Sequence, residues 1–187
     1  MPFVFNSSFL PCLINGADKS GASFFSLNLI TQIILSDLNN IIVLTAFDRE
    51  TEALYDLLWV SYFTFISNIS DIDIIKPNKP IIIKSWESRL FEEVLKNIDI
   101  DKYILFVKNF EVYDIWFVEY VLWFGQIIIS GDVWKCANKD KILWQIRWSE
   151  IFFTYPTGKD ISHLPLLDRY QGYFASKKLN GQISVEI

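Results

Sequence analysis

"INGADKSGAS", residues 14–23, decides how the chain is read. It places Gly16, Gly21 and Ser23 where a phosphate-binding loop, G-x-x-x-x-G-K-[ST], has its two glycines and its hydroxyl. Ala22 stands where that loop has its lysine, and Lys19 lies inside the variable part. The short apolar run from Pro11 to Gly16 reads as a strand ending in a glycine turn. After it, Phe24, Leu27, Ile30, Ile34 and Leu38 are spaced for one face of a helix. Open α/β sheets bind ligands beyond the carboxyl ends of their strands. Backbone N–H groups of such a loop, with the helix N-terminus, can hold a phosphate without any special side chain.

The pattern continues along the chain. "NNIIVLTAF" (39–47) is a β-branched run behind an Asn-Asn turn, and "DRETEALYDLLWV" (48–60) has helical spacing with charges at its start. "SYFTFISNISDIDIIKPNKP" (61–80) is less regular, with Pro77 and Pro80 bracketing a loop. "IIIKS" (81–85) predicts a strand and "WESRLFEEVLKNI" (86–98) an amphipathic helix. "DKYILFVKNF" (101–110) and "GQIIISGDV" (125–133) are strong strands. "NKDKILWQIRW" (138–148) is a short helix and "EIFFTYPT" (150–157) a further strand. The tail (170–187) reads as a hairpin turning around Asn180-Gly181. Strands alternating with helices define an α/β fold with a mainly parallel sheet and a C-terminal antiparallel hairpin. Residues 1–187 form one domain, without repeats or linker.

Half of the 187 residues are apolar, enough for a substantial core. The 16 Phe, 8 Tyr and 7 Trp exceed what a core of this size needs, so some of them are expected to face a partner. Trp116, Trp123, Trp134, Trp144 and Trp148 gather in the second half, as interface anchors or as core. A net charge of −5 with no basic run longer than Lys177-Lys178 argues against broad capture of nucleic acid. Cys12 and Cys136 read as reduced thiols. The N-terminus has no basic leader, and the apolar run 115–129 is interrupted by Glu119 and too short for a bilayer. The chain reads as soluble, with no membrane partner.

Phosphoryl transfer needs a lysine on the β- and γ-phosphates and an acid that orders Mg²⁺ and water. The apolar strand that would end in the acid is Tyr103–Val107, and Lys108 and Asn109 follow it. Glu111 and Asp114, further on, read as solvated loop acids. Lys19 would reach phosphate only from the crown of the loop, with Asp18 adding an opposing charge. Ser23 still offers a hydroxyl, and Ser20 or Ser23 near the helix start also suits a plain strand-to-helix turn. His163 is the single histidine, which excludes any site that needs two. Ser130-Gly131-Asp132 follows a strand where nucleotide hydrolases hold a sensor residue, or is a strand-ending turn. Arg147 reads as a surface ion-pair residue. The residues therefore give no catalytic and no metal-binding set, and a vestigial nucleotide set of Gly16, Lys19, Ser20, Gly21 and Ser23. No cofactor is called for, ATP being the one that the loop's position would suit.

In its order of glycine loop, "NIIVLTAF", "KYILFVKNF", "QIIISGDV" and closing hairpin (Gly172-Tyr173, then Gly181–Val185), the chain resembles RecA-like P-loop proteins over nearly its whole length. The resemblance implies a three-layer sandwich. Within that branch, loss of both motif side chains at this length is similar to the Elongator accessory subunits, the sixth in particular. That likeness implies a non-catalytic subunit of a hetero-oligomeric ring supporting wobble-uridine modification of tRNA. Its partners would be ring subunits, with tRNA or DNA touched only through the assembly, in the cytoplasm and also the nucleus. Non-catalytic recombinase paralogues share the same features. Motor and packaging ATPases of the FtsK/HerA type share the final strand, the "IR" segment and the hairpin, but are expected to keep the lysine and the acidic pair. A nucleotide-hydrolysing enzyme using Lys19 is the rival class.

Overall fold

The computed structural model describes residues 5–17, 20–36, 40–46, 64–76, 79–85, 87–137, 139–145, 149–153, 167, 171–176 and 180–184. The helix expected over 48–60, Arg147, Trp148 and His163 lie outside them. Among the described residues nine strands form one sheet: β1 (Cys12–Asn15), β2 (Ile41–Thr45), β3 (Thr64–Ile66), β4 (Ile81–Lys84), β5 (Ile104–Lys108), β6 (Ile127–Gly131), β7 (Ser149–Phe152), β8 (Gln171–Ser176) and β9 (Asn180–Ser184). Their order is β3-β4-β2-β5-β6-β1-β7-β8-β9. The pairs from β3 across to β7 are all parallel, and β8 and β9 add an antiparallel edge.

The central strands are buried along their whole length, which is why they read as continuous Ile/Val/Leu runs rather than as alternations. Helix α1 (Ala22–Leu35) covers one face, where Phe25, Leu29, Ile30 and Ile33 pack with Ile14, Val43, Phe106 and Ile128. Helices α2 (Ser88–Leu95), α3 (Ile115–Val121) and α4 (Lys139–Gln145) contribute Phe91, Phe117, Val118 and Ile142 to the core on the opposite face. The result is a helix–sheet–helix sandwich, as the sequence implies.

Three expectations are corrected. The buried stripe of α1 runs through Ala22, Phe25, Ser26, Leu29, Ile30, Ile33 and Ile34, and Phe24 is exposed. The polar residues Ser23, Ser26, Asn28, Thr31 and Gln32 are scattered round the helix, so its sequence marks no single face. Asn180 and Gly181 lie within β9, opposite Ala175 and Phe174, so the hairpin is present but its connection is residues 177–179, outside the described set. The irregular stretch 61–80 contains β3 and a 3-10 turn at Ile69–Ile74, closed by a reciprocal capping box between Asn68 and Asp71. Hydrogen bonds from the backbone N–H groups of Ser67 and Asn68 hold the Asp71 carboxyl below its usual pKa.

Both cysteines are free thiols, and burial pushes each up to about 12. Among the described residues no helix is long and apolar enough to cross a membrane.

Candidate functional site

The chain leaves β1 at Gly16 and turns into α1 at the carboxyl rim of the parallel strands. This is also where the order of the sheet reverses: β2 lies three strands away, beyond β6 and β5, and β7 lies on the other side. The base of the loop is clamped from both sides. The Gly16 N–H donates to the Gly131 carbonyl at 3.2 Å, and the Phe153 N–H to the Asn15 carbonyl at 2.8 Å. Asn15 is buried, and its Oδ1 accepts from the Val133 N–H at 3.0 Å, tying the loop to the segment after β6.

Gly16 is a site of close approach. A Cβ there would overlap Ala22 Cβ and lie 2.6 Å from Ser20 Oγ and 3.1 Å from Phe153 Cβ. The Ser20 N–H closes a turn on the Ala17 carbonyl at 3.1 Å, and Ser20 Oγ accepts from the Ala22 N–H at 3.4 Å. Gly21, at φ 101, adopts the left-handed conformation that side-chain-bearing residues rarely take, and its carbonyl receives the Phe25 N–H at 2.9 Å. Ser23 is exposed on the first turn of α1. Four of the five sequence-selected residues, Gly16, Ser20, Gly21 and Ser23, are thus together at the rim. Lys19 lies outside the described residues.

Beneath the loop is a buried polar pair, Ser130, which the sequence offers as a sensor-type or turn residue, and Ser26, which it does not single out. Ser26 Oγ donates to the Ala22 carbonyl at 2.8 Å and sits 2.6 Å from Ser130 Oγ. Ser26 has one hydroxyl proton and gives it to Ala22, so Ser130 is the donor of the pair. Ser130 is accordingly more than part of a strand-ending turn: it joins β6 to α1. Ser26→Ala is expected to destabilise the fold by about 1–3 kcal/mol, because Ser130 then loses its buried acceptor. Adding Ser130→Ala recovers part of that loss, which urea unfolding of the two single variants and the double variant would measure. The one signal for Ser26 in the sequence is its place among the apolar residues Phe25, Leu29, Ile30 and Ile33 of the same helix.

Lys108 is the last residue of β5, directly opposite Ser130 in register. Strand alternation places it with Ile104 and Phe106 on the face that α1 covers, and it is 1% exposed. Asn109 follows in the left-handed conformation, φ 52, which asparagine tolerates, and a 3-10 turn begins. Glu111 on that turn is half-buried rather than solvated, while Asp114 is exposed as expected. Burial pushes the Glu111 carboxyl above the usual carboxylate range. Hydrogen bonds from its own and the Asp132 N–H and the Lys135 charge oppose that shift, and the Asp132 charge adds to it. The Glu111 carboxylate lies against the Cα of Gly131, where a side chain would displace it.

The loop between the first strand and its helix, the strand beside it ending in Gly131 and the next ending in Lys108 make up a P-loop-like fold. The solved structures that the chain resembles in fold are of a viral genome packaging NTPase. The genome packaging NTPase B204 of Sulfolobus turreted icosahedral virus 2, in complex with ATP-gammaS, matches with a TM-score of 0.65 at 13% identity, over 94% of this chain and 97% of that one. B204 described as the DNA-packaging ATPase of Sulfolobus turreted icosahedral virus matches with a TM-score of 0.64 at 14% identity and the same coverage. The AMP complex of the former matches at 0.63 and 12% identity. No protein-family model matches the chain, and no curated protein matches it in sequence.

Phosphoryl transfer on a phosphate loop needs Mg²⁺, and the residues here do not fit the metal. Ser23 retains the hydroxyl, but the position that should carry the metal-ordering acid is a buried lysine, Lys108. Among the described residues no three metal-ligating side chains converge. The Gly16, Ser20 and Ala22 N–H groups bond within the protein, and the loop leads into the N-terminus of α1, an end of a helix that favours negative charge.

Proposed function

We propose that this chain is a P-loop subunit of the DNA-packaging type that holds a nucleotide without hydrolysing it. The observation carrying the packaging reading is the fold likeness to B204 along almost the full length of both chains. The non-hydrolysing part rests on two residues, Ala22 in place of the loop lysine and Lys108 in place of the acid. The subunit then works through assembly with other protein chains, and contacts DNA through that assembly rather than through a basic face of its own. The matched structures lend nothing to the Elongator reading or to its tRNA role. Packaging ATPases were expected to retain the lysine and the acid. A chain with the fold and without those side chains fits an accessory or regulatory subunit of such an assembly.

Isothermal titration of the purified protein with ATP-gammaS, with Mg²⁺ and again with EDTA, tests this. The expected result is binding of equal strength in both conditions and no phosphate release from ATP. Absence of nucleotide binding would remove the ligand reading. Turnover that requires Mg²⁺ and is abolished by Lys19→Ala would make the chain an enzyme and overturn the non-hydrolysing reading.

A further inference from the structure

At the amino-terminal end of β5, on the side of the sheet away from the loop, lies a cavity of about 410 Å³. Ile72 and Ile75, in and just after the 3-10 turn that follows β3, line it together with Ile98, which follows α2. All three isoleucines pack on the hydrophobic core, so the apolar walls are backed by solid structure. Tyr103, immediately before β5, also lines the cavity and is 5% exposed. Its hydroxyl has no hydrogen-bond partner among the described residues, yet it is not sealed in the interior, so the polar end of the side chain is what stays open. A hydroxyl that burial strips of most of its water costs free energy until something bonds it. The remaining polar lining consists of acceptors and one closed ion pair. The Asp73 carboxylate has no partner among the described residues. Asn97 spends its Nδ2 on the Glu93 carbonyl at 2.8 Å, which leaves its Oδ1 without a donor. Lys102 is bound to Asp99 at 3.0 Å.

We propose that this cavity binds a small organic amine, its apolar body between the isoleucines and its ammonium group turned to Asp73, a site independent of any nucleotide at the loop. The lining has the composition of a small-molecule site, mostly apolar and with a few polar groups that fix orientation. The polar groups left open are a carboxylate, an amide oxygen and a phenol oxygen, and all three accept hydrogen bonds. An ammonium group carries three donors and no acceptor, so it matches that set without leaving a group of its own unmatched. A carboxylate or phosphate ligand meets Asp73 with like charge, and the one lysine in the lining is already held by Asp99. The wider surroundings have the same sign. Over 69–76 and 96–103, Asp71, Asp73, Asp99 and Asp101 outnumber Lys76, Lys96 and Lys102, and Lys96 is itself bound to Glu93. A neutral ligand of the same shape gains the apolar walls and the Tyr103 hydroxyl but nothing from the charge of Asp73.

The probe is 2-phenylethylamine, with 2-phenylethanol as its neutral counterpart and 3-phenylpropionate as its anionic one, titrated into the full chain and followed by amide NMR shifts. The amine is expected to saturate shifts in residues 72–75 and 97–103 with a dissociation constant of about 1–10 mM, the range open to so small a ligand. The alcohol should bind at least about fivefold more weakly, and the propionate should not saturate. Asp73→Asn is expected to remove the preference, weakening the amine at least about fivefold and leaving the alcohol unchanged. Tyr103→Phe should weaken amine and alcohol alike. It breaks no bond inside the protein, so its urea midpoint should equal or exceed that of the wild type, which a hydroxyl serving only the fold would not allow. Asp73 is exposed, so its variant folds whatever the cavity binds. Absence of a saturable shift up to about 50 mM amine would overturn the proposal. Equal affinity for the amine and the alcohol, or for the amine in wild type and Asp73→Asn, would do the same.

Discussion

Phe106→Ala is expected to lower the stability of this protein by about 3–5 kcal/mol, a large part of what a domain of this size has in total. Phe106 is fully buried in the middle of β5, with Val43 and Ile128 opposite it on the two neighbouring strands. It faces the layer that α1 fills with Leu29, Ile30 and Ile33. Removal of the ring leaves a cavity between a sheet paired on both sides and a helix pinned at its start, so little of the space can collapse. Phe24→Ala is the control, a ring removed from the exposed side of α1, and is expected to change stability by under about 1 kcal/mol. Guanidinium unfolding of both variants measures the difference, and equal losses would mean that α1 is seated the other way round.

Gly16→Val is expected to cost about 1–3 kcal/mol through overpacking, and to abolish nucleotide binding in the titration described above. The position where a side chain would begin is already filled by Ala22 Cβ and Ser20 Oγ, with Phe153 Cβ behind them. Ala22 sits at the start of a helix and cannot swing aside, so the turn must open and the entry into α1 must shift with it. Gly125→Ala is the matched control: nothing lies within 4 Å of where its Cβ would be, and both stability and binding should stay near wild type. A Gly16→Val protein of wild-type stability that still binds ATP-gammaS would show that the loop is not the site.

Much of the fold is legible in the sequence because β1, β2, β4, β5 and β6 are short, continuous apolar runs that only a sheet covered on both faces would bury. The glycine loop and the C-terminal hairpin mark its two ends. What the sequence hides has physical causes. The three residues of β3 are too few to show any period. Helix α3 lies inside an aromatic run where buried Phe117 and Val118 sit beside exposed Trp116, so hydrophobicity alone does not separate core from surface. At the site, Gly16 and Gly21 are legible because backbone geometry restricts the residue type. The Ser26–Ser130 pair is not, since its two members are far apart in the chain and each resembles an ordinary helix or strand serine. Glu111 reads as solvated because nothing local announces that Gly131 lies against it.

The parallel run of strands from β3 to β7 points every carboxyl end toward one rim. Interior and rim are consequently separable: the interior is a chassis whose strands fit together whatever the rim carries. A lysine can leave the loop without disturbing a single pairing of the sheet. Lys108 is the exception, because it belongs to the chassis and the rim at once. An acid at position 108 would therefore have to be accommodated by the interior as well as by the rim.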